Sequence, residues 1–264
     1  SGYAIQDTSS NIASNIDALK TNLSKIFSIV LSQTSSSAPL AITATQYSSD
    51  AGVLTLINGN YSITVSGVAA ADVVSTLGNS HVTSIAVNDT SANVVSNLST
   101  LQTNLAKISA ISLTNVAPLA LSLAQLNAST GVLGKISGSY TITVSAVPAS
   151  AVSSTLAIAN VASIAVSDTQ AHLLSSLDNL QANIAKITAI VVSDSTPLLV
   201  TPTQASADSA ALALIRSGGG NFTVQYPSSG TVATFLSYAS NLSSASFALT
   251  DSAANVASNL DAIQ

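Results

Sequence analysis

The sequence predicts an α/β fold, built as a right-handed α/β solenoid with a parallel sheet on one side and helices on the other. One observation is a segment that starts at Asp89 with DTSANVVSNLSTLQTNLAKI and is written again, with changes, from Asp7, Asp168 and Asp251. These starts recur about every 80 residues, which is typical of a repeat protein. The other is that each copy is followed by the same alternation of strand and helix patterns. Strand–helix–strand crossovers make parallel neighbours and are nearly always right-handed.

The period also predicts how the chain is divided. We expect a single repeat array over residues 1–264, with units at approximately 7–88, 89–167 and 168–250 and the start of a fourth unit at 251–264. A set of separate small α/β domains is disfavoured, because no charged or Pro/Gly-rich linker lies between units. The sequence contains no Met and no visible signal peptide, so we expect a mature product or a window of a longer array.

The recurring segment itself predicts an amphipathic helix. Apolar residues follow the 3–4 spacing of one helix face. We expect the Asp and Thr that open each segment to cap the helix, and the Lys in its last turn to favour the negative end of the helix dipole. The apolar stripes are Ile12, Ile16, Leu19, Leu23 and Ile26; Val94, Leu98, Leu101, Leu105 and Ile108; and Leu173, Leu177, Leu180, Ile184 and Ile187.

Two predicted strands follow each of these helices. The first is the alternating run FSIVLS, SAISLT or TAIVVS. The second should begin at a proline, which is tolerated at the first residue of a strand, and Pro202 should make it short or irregular in the third unit. Its expected first and last residues are Pro39 and Gln46, Pro118 and Gln125, and Pro197 and Gln204.

The rest of each unit predicts helix, strand, helix and strand in that order. With ten to a dozen strands spaced by about 4.8 Å, the array would be about 50 Å long. The second helices are expected at 48–57, 124–136 and 205–216, and the third at 69–77, 148–158 and 231–241. The strands between and after them are NYSITVS, SYTITVS and NFTVQYP, and TSIAVND, ASIAVSD and ASFALTD.

Composition excludes several classes of protein. Charged residues make up only 6% of the chain, and the six Lys and Arg form no basic cluster, so we expect no nucleic-acid partner. The longest apolar runs, such as AIVV at 189–192, are far shorter than the roughly 20 residues of a membrane span. Without Cys, the chain has neither disulfides nor thiolate metal sites, which suits an exported bacterial protein.

No pattern in the sequence identifies a reaction, and we expect no enzyme activity. Nucleophile-elbow, zinc-protease and P-loop motifs are missing, and the glycine run at 218–220 lacks the Lys of a phosphate loop. The two histidines, His81 and His172, occupy different places in the unit. His172 stands where other copies have Asn, so neither histidine predicts a metal or catalytic site.

The aspartates at the start of each lead helix are the candidate metal ligands. Asp7, Asp89, Asp168 and Asp251 lie at strand-to-helix turns, where carboxylate and carbonyl oxygens could bind calcium. Each turn brings one or two such oxygens and calcium takes six to eight, so helix capping is the default interpretation and calcium the one candidate cofactor. Asn15, Asn22 and their counterparts also recur, and Asn inside a helix predicts a hydrogen-bond partner, for example the backbone of a neighbouring coil.

The segments SIAVNDTSANVVSNL and SIAVSDTQAHLLSSL, together with the absence of Cys, resemble the low-charge repeats of large secreted bacterial surface proteins, the adhesin, S-layer and type I-secreted repeat class. The resemblance covers essentially the whole chain. It implies an extracellular location at the bacterial cell surface. The calcium-binding nonapeptide GGxGxDxUx of some secreted repeats is missing, so calcium-dependent folding does not follow from it.

These observations predict a non-catalytic, extracellular structural protein, a stalk, matrix or filament segment that associates head to tail through open solenoid ends. The alternative is a glycan- or calcium-binding adhesin module. A sugar site needs an aromatic platform, for which the candidates are Tyr47, Tyr61, Tyr140, Tyr226 and Tyr238. A polysaccharide-active enzyme would need clustered carboxylates, whereas the aspartates here are periodic.

Overall fold

The computed structural model describes residues 2–32, 38–195, 198–242 and 247–263, and there the chain is α/β with several parallel sheets. It divides into two compact units, one ending at Val144 and one beginning at Ser145. The boundary lies within the strand Ile142–Val147. No helix in the described segments has the length and apolar character that a membrane span requires.

Eight strands of the first unit form two parallel sheets where the sequence predicted one, and β8 and β10 are neighbours in a further sheet. The strand orders of the two sheets are β1-β2-β4 and β3-β5-β6-β7-β9. The strands are β1 Tyr3–Asp7, β2 Ile26–Leu31, β3 Leu40–Thr43, β4 Ile57–Asn58, β5 Ile63–Val68, β6 Val82–Asp89, β7 Ile108–Leu113, β8 Leu119–Ser122, β9 Ile136–Ser137 and β10 Ile142–Val147, the last crossing the unit boundary.

The helices of the first unit are short. The α-helices are α1 Ser9–Ser14, α2 Ile16–Thr21, α3 Ala44–Ser49, α4 Ala51–Leu54, α5 Val73–Leu77, α6 Ser91–Ser96, α7 Leu98–Thr103, α8 Leu123–Ala128 and α9 Thr130–Leu133. Single 3-10 turns lie at Leu23–Lys25, Ala70–Asp72 and Leu105–Lys107.

The second unit has the same kinds of element, and β11 pairs with β12, β13 with β14, and β15 with β16, all parallel. Its strands are β11 Val161–Asp168, β12 Ile187–Val192, β13 Leu198–Val200, β14 Phe222–Val224, β15 Ser229–Gly230 and β16 Ala248–Leu249. Its helices are α10 Val152–Leu156, α11 Gln170–Ser175, α12 Leu177–Ala182, α13 Pro202–Ala207, α14 Ser209–Ser217, α15 Val232–Tyr238, α16 Ala253–Ser258 and α17 Leu260–Ile263, with 3-10 turns at Ala149–Ala151, Ile184–Lys186 and Ala239–Asn241.

Alternation along the strands builds the core. In β6, Ile85 and Val87 are each only 1% exposed, and they pair in register with Ile108 and Ile111 of β7, which are equally buried. A bulge after Ile85 interrupts this ladder, and β11–β12 and β1–β2 have a bulge at the corresponding place. The same sequence pattern therefore folds to the same local pairing in three copies.

The predicted lead helices are present but broken. Asn15 separates α1 from α2 and adopts φ −113°, ψ 11°, and Asn97 does the same between α6 and α7 at φ −112°, ψ 15°. The Asn15 Nδ2 donates to the carbonyl oxygen of Asn11 at 2.9 Å, as Asn97 Nδ2 does to Asn93. The recurring Asn residues thus have a partner in their own helix, not in a neighbouring coil, and hold a local non-helical conformation.

The predicted ends of the second strands were wrong. Strand β3 stops at Thr43, whose Oγ1 accepts from the backbone N–H of Gln46 while the Gln46 side chain accepts from the backbone N–H of Thr43. Gln125 and Gln204 make the same reciprocal capping boxes, so these glutamines belong to helices. Pro202 is the first residue of α13, a position that needs no N–H donor. Pro197 lies outside the described residues.

Candidate functional site

The aspartate that ends each long strand joins two helix starts. Asp89 Oδ1 accepts from the backbone N–H of Thr90 at 2.8 Å and from Asn93 Nδ2 at 2.7 Å. Asp89 Oδ2 accepts from the backbone N–H of Ala70 at 2.9 Å, at the start of the preceding 3-10 turn. Both carboxylate oxygens are therefore engaged by donors of the chain itself. We call this arrangement the aspartate brace.

The brace recurs in the second unit. Asp168 Oδ2 accepts from Ala149 N–H at 2.9 Å, and its Oδ1 contacts His172 Nδ1 at 2.7 Å, where the other copies use Asn. Asp251 Oδ2 accepts from Val232 N–H at 3.1 Å, and Asn255 Nδ2 donates to both of its oxygens. His172 thus replaces an Asn donor, and its place in the sequence is explained by the brace.

Hydrogen bonds to these carboxylates change their acidity. Burial raises the pKa of Asp89, but bonds from Ala70, Asn93 and Thr90 outweigh it, so its pKa lies below the ordinary 3.8. Asp168 has a lowered pKa for the same opposed reasons, its donors being His172, Ala149 and Thr169. For Asp251 the bond from Val232 is the main cause of a lowered pKa. The brace holds the ionised form.

Asp7 makes only half of this arrangement. Its Oδ1 accepts from Thr8 N–H and Asn11 Nδ2, each at 2.7 Å. No described residue donates to Asp7 Oδ2, the atom that in the other copies receives a backbone N–H from nineteen residues earlier. Of the strands that the structure describes, β1 pairs only with β2, whereas β6 pairs with both β5 and β7.

The default capping interpretation needs a correction. The N-cap residues are Thr8, Thr90, Thr169 and Ser252, each one position after the aspartate. In three of them the hydroxyl accepts the capping bond, at 3.2 Å in each case, and Thr169 makes none. Asp7, Asp89 and Asp168 are instead the last residues of their strands, and Asp89, for example, pairs with Leu113; Asp251 lies two residues after β16.

Calcium at Asp7, Asp89, Asp168 and Asp251 remains a prediction. In the described segments, no group of three or more Asp, Glu, His or Cys side chains is placed to hold a metal ion. The three braced carboxylates would have to release backbone N–H groups to coordinate a cation. Among the described residues, Asp7 Oδ2 is the one oxygen of these four carboxylates that accepts no hydrogen bond.

The fourth copy of the lead helix exposes the stripe that the other copies bury. Leu260 is 52% exposed, whereas the corresponding Ile16, Leu98 and Leu177 are 0%, 4% and 2% exposed. Helices α16 and α17 contain no buried residue. Strand β16 pairs only with β15 among the described strands. We call Leu260, Val256 and the unpaired side of β16 the open face.

A cleft of about 620 Å³ lies in the first unit and brings together two of the candidate tyrosines, Tyr47 and Tyr61. The Tyr61 ring stacks on His81, with centroids 4.0 Å apart and planes 11° apart. Tyr61 donates its hydroxyl to the Leu54 carbonyl at 3.2 Å. Burial, and to a lesser extent Tyr47, raises the pKa of Tyr61. We call this the tyrosine cleft.

The other candidate tyrosines lie elsewhere. Tyr140 donates to the Leu133 carbonyl at 3.1 Å, as Tyr61 does to Leu54, but it does not line the tyrosine cleft. Tyr226 and Tyr238 make an edge-on contact with ring centroids 5.7 Å apart in the second unit.

Two buried carboxylates escaped the sequence reasoning. Asp50 is fully buried, with Lys20 Nζ 3.3 Å from its Oδ1, and Asp208 is 2% exposed at the equivalent place in the third repeat. The signal that could have found them is the alignment of the repeats, in which Asp50 and Asp208 occupy the position of Ser129. Their burial could not be read from it.

No protein-family model and no curated protein matches the chain. Among solved structures, a match is the crystal structure of adenine deaminase from Arthrobacter aurescens, at 11% identity and a TM-score of 0.15, covering 77% of this chain. This chain spans 56% of the deaminase's length. So low a TM-score carries no argument about fold or activity.

Proposed function

We propose that the chain is a non-catalytic structural segment of a bacterial surface protein, a right-handed solenoid of about three repeats of roughly 80 residues that associates head to tail with further copies. The observation that carries the proposal is the open face. The apolar position that is buried in three copies of the lead helix is half exposed in the fourth.

The two unpaired strand edges support the same proposal. Strands β1, β6 and β16 precede Asp7, Asp89 and Asp251 and so occupy one position in the repeat. β6 has a partner on the side of β5 and another on the side of β7. Among the described strands, β1 has only the partner equivalent to β7, and β16 only the partner equivalent to β5. The unpaired edges of β1 and β16 among the described strands are therefore on complementary sides, and each could pair with a strand of a further repeat, in a longer chain or in a second copy.

The half-used Asp7 fits this arrangement. Its free Oδ2 lies at the end of β1, where Asp89 and Asp168 receive a backbone N–H from the preceding part of the repeat. A further repeat, in a longer chain or in a second copy, could supply that N–H. A contact between two different surfaces of identical chains makes an open polymer unless its rotation closes a ring.

An extracellular location is part of the proposal, and it rests on composition. A chain with no Cys and with 6% charged residues, whose polar residues are mostly Ser, Thr and Asn, suits a protein that functions outside the cell.

Electron microscopy of the purified chain, in calcium and in a chelator, tests the proposal. We expect filaments or sheets with an axial repeat of about 50 Å, the length of ten to a dozen stacked strands. Assembly only in calcium would assign the free Asp7 carboxylate to a metal, and assembly in both conditions would assign it to the neighbouring backbone. Compact single particles at every concentration in both conditions would refute head-to-tail association.

A further inference from the structure

The tyrosine cleft lies in the first repeat, and only part of its lining is repeated in the second. Tyr140 of the second repeat occupies the position of Tyr61 and likewise donates its hydroxyl to a carbonyl oxygen of a helix. The residues that make the cleft distinctive are not repeated. Tyr47, Asn79 and His81 are replaced at the matching positions by Leu126, Ile158 and Asn160. Structural repetition therefore does not account for Tyr47, Asn79 and His81.

The hydrogen bonds of two lining residues show which of their polar atoms are already used within the chain. His81 Nδ1 lies 3.1 Å from the Tyr61 carbonyl oxygen, which only accepts, so Nδ1 carries the proton. In the neutral ring, Nε2 is then an acceptor. Asn79 Oδ1 accepts from the backbone N–H of His81 at 2.9 Å, which leaves the Asn79 Nδ2 as a donor. Neither atom has a partner among the described residues.

The cleft also has an aromatic wall. Tyr47 is half-buried, and its ring is not stacked on another ring in the described chain. Tyr61 and His81 cover one face of each other and are half-buried as well. Leu54 and Ile57 complete the apolar side. A flat apolar wall beside a few directed polar groups is the usual make-up of a small-ligand site, and about 300–1,000 Å³ is the usual size.

We propose that the tyrosine cleft binds a neutral pyranose of a glycan. A sugar ring has an apolar face of C–H groups that stacks on an aromatic ring such as Tyr47, and hydroxyls at its rim that both donate and accept. A hydroxyl donates to His81 Nε2, and another accepts from Asn79 Nδ2. The described lining residues include no Asp, Glu, Lys or Arg, so none of these residues offers an opposite charge to a phosphate, a carboxylate or an ammonium group.

Leu260 does not line the tyrosine cleft, so a change at Leu260 removes none of the residues proposed to bind the sugar. Binding is to be measured on the Leu260→Asp variant as well as on the native chain. A chain that does not assemble but still binds the sugar would contradict the proposed function and leave the sugar-binding proposal intact.

The test uses saturation-transfer NMR with four probes: methyl β-D-glucoside, methyl β-D-galactoside, methyl α-D-mannoside and N-acetyl-D-glucosamine. We expect at least one to bind with a Kd in the millimolar range. Tyr47→Ala and His81→Ala should each weaken it about tenfold or more, which is about 1.4 kcal/mol. Tyr140→Ala, the matched change in the second repeat, should leave the Kd unchanged.

Tyr47 is half exposed on a short helix, so its variants should fold, and circular dichroism is the check on each of them. Tyr47→Phe should retain most of the affinity, because the ring face supplies the contact. Failure of all four probes to bind the native chain would overturn the proposal. So would binding that Tyr47→Ala and Tyr140→Ala reduce equally.

Discussion

Asp50 in the first repeat and Asp208 in the third occupy the same place between two short helices, but only Asp50 has a cation. Both carboxylates are buried, and in both the Oδ2 atom lacks a hydrogen bond within the described residues. Asp50 Oδ1 receives Lys20 Nζ at 3.3 Å and the Ser49 hydroxyl at 2.9 Å. At the position of Lys20 the third repeat has Gln181, whose Oε1 accepts from the Ala211 N–H at 3.0 Å.

The second repeat has no charged residue at these positions. Ser99, Gln102 and Ser129 replace Asp17, Lys20 and Asp50 of the first repeat. All three residues there are neutral. The third repeat has Asp178, Gln181 and Asp208, so it carries the carboxylates without the lysine. Burial raises the pKa of Asp208, and Asp178 raises it further. The same buried position thus holds an ion-paired aspartate, a neutral serine or an unpaired aspartate in the three repeats. These arrangements differ in what they cost in folding free energy.

Lys20→Gln should cause the largest effect, because it gives the first repeat the unpaired arrangement of the third. We expect the free energy of unfolding at pH 7 to fall by about 2–3 kcal/mol, less than for a pair buried on both sides because Lys20 is 50% exposed. Urea denaturation measures it. Lys25→Gln, at an exposed lysine with no ion pair in the described chain, should cost under about 0.5 kcal/mol. Equal losses in the two variants would contradict the role of Lys20.

Asp208→Ser gives the third repeat the neutral arrangement of the second and should stabilise the protein by about 1–2 kcal/mol at pH 7. The raised pKa means that the folded state binds the proton more tightly than the unfolded state. The loss of stability caused by the ionised Asp208 is therefore absent below pH 3.8, the ordinary pKa, and grows as pH rises through the raised pKa of the folded state. Urea denaturation at pH 3 and pH 7 should show the gain only at pH 7.

The control for that change is Asp72→Ser, which removes an exposed aspartate and should alter stability by less than about 0.5 kcal/mol. A gain for Asp208→Ser that is the same at both pH values would show that packing, not the unpaired charge, is responsible.

Asp89→Ala should have the opposite pH dependence and a comparable or smaller size, about 1–2 kcal/mol at pH 7, because two backbone N–H groups lose their acceptor. The lowered pKa of Asp89 makes its contribution complete above 3.8 and lost as pH falls through the lowered value. Asp7→Ala, which removes the half-used brace, should cost less. Chemical denaturation across pH 2.5–7 measures the free energy of unfolding of both variants. An equal loss in Asp89→Ala and Asp7→Ala would show that the bond from Ala70 contributes nothing.

The sequence period was sufficient to place most elements. Apolar alternation located β2, β6 and β7, and the helical stripe located the buried Leu98 and Leu101. It could not show that Asn97 would interrupt the helix, since that depends on a local competition between side-chain and backbone hydrogen bonds. The Thr–x–x–Gln pattern at Thr43 was visible and is a capping-box signal, so the strand ends there were predictable.

The candidate site was less accessible to sequence reasoning. The periodic aspartates were found, but the brace depends on a bond from Asp89 to Ala70, nineteen residues earlier, which only the fold brings together. Tyr47 and Tyr61 were both candidates, yet the stacking of His81 on Tyr61 joins a turn to a strand start and has no local pattern. Burial of Asp208 contradicts the usual exposure of aspartate, so composition could not indicate it.

Head-to-tail association is tested most directly by sedimentation velocity of the native chain and of Leu260→Asp over a hundredfold range of concentration. We expect the native chain to form species that grow with concentration, and Leu260→Asp to remain monomeric because a charge is placed in the open face. Val116→Asp, at a fully exposed loop position that is not one of the residues of the open face, should assemble like the native chain. A native chain that stays monomeric throughout, or a Leu260→Asp chain that assembles as well as the native one, would contradict it.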